Sequence, residues 1–155
     1  MSSKNFKLDQ RLANDCIQLG YLHWTNKEDK PPAKASLLLL MNNAEIPWFV
    51  IVPVDVSAID IDELDEKHQQ EMLKEMNVLS AFLKRHYSVN KINFASIGNI
   101  VNQMHFHLVA RTKNDPAWPG VVWGTRAKIK YNQQQVEEIT KLLTEEIKFF
   151  KLTGE

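Results

Sequence analysis

A single cysteine, Cys16, is the chain's whole supply of thiol, so no internal disulfide can hold it together. Charge of one sign is missing too: 19 Lys and Arg residues balance 19 Asp and Glu. That balance removes the electrostatic footprint of a protein that binds nucleic-acid backbone or an anionic membrane. Any phosphate it recognises must be held by a local site. The N-terminal stretch has no apolar run of the signal-peptide kind, because Lys4, Lys7, Asp9 and Arg11 interrupt it. A reducing cytoplasm is the expected address. The 155 residues make one domain's worth of chain, long enough to bury about two-thirds of the unfolded surface. Residues 1–155 are expected to form one domain, with 112–155 as a C-terminal loop-and-helix extension.

What is present alternates strands with two amphipathic helices. Residues 5–15 mix Phe6, Leu8 and Leu12 with charges, which suggests a short helix or a docked arm. Residues 16–24 alternate as a strand does, and the polar, proline-bearing run 26–32 ends it as a solvent loop. Two apolar runs, 35–41 and 48–52, flank a loop of hairpin composition and predict adjacent antiparallel strands. Residues 65–87 carry Met72, Leu73, Met76, Leu79, Leu83 and Tyr87 as one helical stripe, with Asp62 and Asp65 as candidate N-caps. His68 and His86 on this helix read as surface residues. Residues 91–97 are the next strand. After a loop holding Trp118 and Trp123, Asn132 and Gln135 form a capping box for a last helix striped by Val136, Ile139, Leu142, Leu143 and Ile147. Two tryptophans are costly to leave in a mere linker, so that loop is expected to pack over the site or a partner subunit. The fold class is α+β: an antiparallel sheet of about five strands with a long central helix and a C-terminal helix.

The chemistry concentrates at residues 103–111. Met104, Phe106, Leu108 and Ala110 alternate with Gln103, His105, His107 and Arg111, so a strand here has one apolar face and one functional face. Imidazoles at i and i+2 project the same way with Cα atoms roughly 6.5 Å apart. Both can reach one small ligand such as a phosphate. Arg111, at the end of the strand, reads as a surface charge that can assist anion binding. A His-x-His pair can also serve zinc, but zinc needs a third strong ligand. Gln103 is a poor one, and His23, His68 and His86 have no ligand-like spacing. No metal and no other cofactor is expected.

The run from Gly98 to Val109 resembles the signature of the histidine triad (HIT) superfamily, three histidines separated by single apolar residues after a glycine-containing loop. Gln103 stands where the first histidine belongs, and Trp48 and Phe49 stand where relatives often carry another. The likeness extends over residues 16–111 and implies a bacterial diadenosine-polyphosphate-hydrolase-like protein. By that resemblance the chain hydrolyses or transfers nucleotides at the α-phosphate of dinucleoside polyphosphates or similar conjugates. His105 would be the nucleophile, His107 would hold a phosphate oxygen or assist the leaving group, and Gln103 could donate a hydrogen bond but carry no proton. Asn42, or failing it Asn43, would meet the ribose hydroxyls, although an Asn pair there also suits turn chemistry alone. Asn99 and the Gly98 loop would contact phosphate. The resemblance further implies a homodimer, to which the exposed part of the 72–87 stripe could contribute. The alternative is a nucleotide-binding relative with little or no turnover.

Overall fold

Two neighbouring apolar runs, uninterrupted rather than alternating, set the centre of the molecule. In the computed structural model, which describes residues 6–23, 35–54 and 56–153, they are β2 (Ala35–Met41) and β3 (Trp48–Pro53), paired antiparallel. Strands buried on both faces need no polar side, which is why their sequences do not alternate. With β1 (Cys16–His23), β4 (Lys91–Ala95), β5 (Phe106–Arg111) and β6 (Phe150–Leu152) they form a six-stranded antiparallel sheet in the order β4-β5-β3-β2-β1-β6. The polar run 26–32 and Trp24 lie outside the described residues.

One face is covered by α2 (Glu66–His86) and α3 (Gln133–Glu146). There Leu38, Leu40, Phe49, Ile51, Phe106 and Leu108 meet helix residues including Leu79, Phe82, Leu83, Ile139 and Leu143. The other face is covered by α1 (Gln10–Asp15), its preceding arm and the loops before and after β5, where Leu37, Leu39, Val50, Val52 and Val109 meet Leu12, Val101 and Val122. The expectation of a short helix or a docked arm is met by both at once. Asp65 caps α2 by accepting from the His68 amide, and the Asn132–Gln135 capping box starts α3 as the spacing requires.

Three expectations change. A sixth strand, β6, pairs with β1; an added Cβ at Gly20 would collide with the Lys151 carbonyl and the Phe150 ring, so glycine permits that pairing. The α2 stripe is rotated: Phe82 is buried and Leu73 is 54% exposed. Met72, Leu79 and Leu83 of the stripe belong to the core. Finally, His86 bonds Glu146 of α3 at 2.6 Å rather than facing solvent alone. Among the described residues no helix is long and apolar enough to cross a membrane.

Candidate active site

β5 lies between β3 and β4, and its alternation sends Phe106, Leu108 and Ala110 toward the helices. His107, Val109 and Arg111 therefore go to the opposite face. Ladder pairing stops at Phe106 opposite Ile51 and at His107 opposite Ala95. His105 thus stands one step ahead of the strand, which begins later than residues 103–111 suggested. The turn leading to it needs glycine: Gly98 has φ +65°, a left-handed conformation costly for other residues.

The two imidazoles are fixed by different partners. His105 Nδ1 lies 2.7 Å from the main-chain oxygen of Gln103. A carbonyl can only accept, so Nδ1 carries the proton and Nε2 keeps the lone pair. His107 Nδ1 lies 3.0 Å from Trp48 Nε1. An indole N–H can only donate, so this Nδ1 accepts and the ring proton sits on Nε2. One ring thus presents a nucleophile and its neighbour, with ring centroids 5.0 Å apart, presents a donor. Burial, followed by the proximity of His105, pushes the His107 pKa down to about 4. The ring is therefore neutral at physiological pH. Trp48 and Trp123 pack edge-on near it, with centroids 5.6 and 5.5 Å away, and the Trp123 indole nitrogen is buried with no acceptor among the described residues.

In front of the histidines opens a cavity of about 600 Å³, inside the ~300–1,000 Å³ range of small-molecule sites. Asn42, Asn99, His105 and His107 all line it. Asn42 Oδ1 accepts from the Tyr131 amide at 3.0 Å, while Asn43 Oδ1 is engaged with the Glu45 amide within its own turn. Gly98 is not among the lining residues; it shapes the loop whose Asn99, Ile100 and Val101 are. The Gln103 side chain does not line the cavity either. Its oxygen accepts from the Asp9 amide at 2.8 Å and its nitrogen donates to the Lys7 carbonyl at 3.0 Å. What Gln103 gives the histidines is its main-chain carbonyl.

Several lining residues had no role in the sequence reading. Arg11 and Asp15 come from α1, and Arg126 and Lys130 from the segment after Trp123. Three cations against one carboxylate make the mouth anion-attracting although the chain is neutral overall. Arg111 departs from expectation as well. Rather than a surface charge, it is 1% exposed and makes a two-pronged contact with Asp115, at 2.8 and 3.0 Å. A third bond goes to Asn93, and Trp118 stacks on the guanidinium. The cation latches the 112–120 loop to β5, which carries Trp123 onto the histidine face.

A family model described as HIT domain matches residues 32–114, more than half of the chain. The chain belongs to the HIT domain family. Its architecture is that of solved family members. A histidine triad protein of Bradyrhizobium japonicum is 32% identical, with 92% of this chain and 98% of that one covered and a TM-score of 0.76. One from Sinorhizobium meliloti 1021 is 31% identical over 92% and 98%, with a TM-score of 0.77. Another, from Marinobacter aquaeolei VT8, is 35% identical over 92% and 96%, with a TM-score of 0.75. No curated protein matches. HIT domain proteins are in general nucleotide-binding hydrolases and transferases, and in this chain His105 and His107 line the cavity. Trp48 is the residue that sets the His107 tautomer.

Proposed function

We propose that this HIT protein is a nucleotide hydrolase or transferase, acting at the α-phosphate of dinucleoside polyphosphates or related conjugates through a nucleotidyl-histidine intermediate. The observation that carries the reading is the opposed pair of tautomers, a lone pair on His105 Nε2 beside an N–H on His107 Nε2. His105 Nε2 attacks phosphorus, a P–N bond forms and the P–O bond to the leaving group breaks. The imidazole becomes cationic, and its Nδ1 proton stays against the Gln103 carbonyl. Water then cleaves the P–N bond and releases the mononucleotide, dividing one hard displacement into two easier ones. The His107 N–H holds a phosphoryl oxygen while the Asn42 amide nitrogen meets the ribose and Asn99 a phosphate.

Leaving-group choice follows from protonation. A neutral His107 and a Gln103 turned away leave no ready acid at the histidine pair, and a positioned acid is typically worth about 10²–10⁴ in rate. Polyphosphates leave as stable anions and need none, and Arg11, Arg126 and Lys130 suit their charge. The same lack of an acid favours a second reading, nucleotide binding with little turnover. Quenched reaction with diadenosine tetraphosphate followed by mass spectrometry separates the two: an adenylyl adduct lost in His105→Ala supports the enzyme, and its absence in wild type supports the binder. Turnover of an adenosine phosphoramidate equal to that of the tetraphosphate would refute the leaving-group argument. The lone thiol of Cys16 suits a cytoplasmic setting, and the exposed Phe94 and Ile97 beside the β4 edge suit a homodimer.

A further inference from the structure

Gln103 occupies the first motif position yet sends its side chain away from the cavity, to the N-terminal arm. Its amide oxygen takes the Asp9 N–H and its amide nitrogen gives to the Lys7 carbonyl. These two main-chain groups flank Leu8, so one planar amide satisfies a donor and an acceptor as a neighbouring strand would. Only a group with both functions can do this. Asp9 is also the N-cap of α1, accepting from the Arg11 amide at 2.8 Å. The helix so anchored contributes Arg11, Leu12, Asn14 and Asp15 to the cavity wall. Phe6 and Leu8 pack on the second core cluster, but they give the arm apolar attachment without fixing its register.

We propose that Gln103 is a positioning residue for nucleotide binding: its amide fastens the arm so that α1 stands as one wall of the cavity, while its carbonyl orients His105. The proposal rests on the cavity being the nucleotide site. Loss of the amide leaves the arm docked only part of the time, and apparent affinity falls by the docked fraction. Losing both hydrogen bonds lowers the docked population, and the effect is read as a fall in affinity of about tenfold.

The test uses the full chain, with Gln103→Met, which keeps the length and removes both bonds, and Gln103→Glu, which keeps the acceptor for Asp9 and sets a carboxylate against the Lys7 carbonyl. Expected for Gln103→Met are an AMP Kd and a diadenosine tetraphosphate KM raised about tenfold with kcat changed less than twofold, and Gln103→Glu between it and wild type. Hydrogen exchange at the arm amides should speed up in the free variants and be slowed again by saturating AMP, a response a merely structural defect would not show. A fall in kcat at unchanged KM would overturn the proposal by making the side chain part of the chemistry. Arm exchange and KM both at wild-type values would overturn it alone. A wild type that binds no AMP would instead defeat the nucleotide reading and this inference with it.

Discussion

Acidification from pH 7 to pH 5 should destabilise the folded protein by about 2 kcal/mol through His107 alone. The ring is 6% exposed. Burial, then the neighbouring His105, holds its pKa at about 4 against an ordinary 6.5. Between those values the unfolded chain binds a proton that the folded chain refuses, so stability falls as pH falls. The loss begins near 6.5 and is complete below about 4, where it totals about 3.5 kcal/mol at ~1.4 kcal/mol per pH unit. Somewhat more than half of it should appear by pH 5.

Urea unfolding at pH 7 and pH 5, wild type against His107→Gln, measures this directly. Glutamine can still accept from the Trp48 N–H through its amide oxygen, and it does not titrate. Other titrating groups, such as His23 with a pKa lowered first by its burial, are common to both proteins and cancel. The variant should therefore lose about 2 kcal/mol less than wild type over the interval. Equal losses in the two proteins would refute the assignment of a neutral, buried His107, and with it the absence of an acid at the histidine pair.

Trp48→Phe removes the donor to His107 Nδ1; it should cost about 1–3 kcal/mol for the stranded acceptor and slow single-turnover adduct formation, since the ring is then free to take the wrong tautomer. Asp115→Ala leaves the Arg111 charge buried, both side chains being 2% exposed. It should lower stability by about 3–5 kcal/mol and increase Trp123 fluorescence exposure to quencher. Arg126→Ala with Lys130→Ala should raise KM for diadenosine tetraphosphate several-fold at low salt and little at high salt, because exposed charges are screened over about 8–10 Å.

Most of the sheet was readable because its strands show period two or unbroken apolar runs, and both long helices declared their caps. β6 was not, since three residues carry no pattern and depend on Gly20 letting the backbone approach. Leu73 and Phe82 exchanged places because α2's stripe is wide and spacing alone does not say where its edge falls. Among the residues lining the cavity, His105, His107 and Asn99 were expected from the motif resemblance and Asn42 from the wider family resemblance. Arg11, Arg126 and Lys130 were not, because only the tertiary fold brings α1 and the segment after Trp123 to the mouth. Arg111 misled for a related reason: its partner Asp115 is four residues on, but only the fold of the loop decides that the pair is buried. Gln103 was read by position within the motif, while its amide answers to residues 94 and more positions away.

The sheet's two margins are unequal. On the β1 side a three-residue β6 covers only Gly20, Tyr21 and Leu22, and so short a border offers little for another chain to hydrogen-bond. On the β4 side five residues stand at the rim with Phe94 showing. Two copies joined rim to rim about a twofold axis would hide both long margins and expose only the short ones, so strand-wise growth would terminate at the pair instead of running on into a fibre.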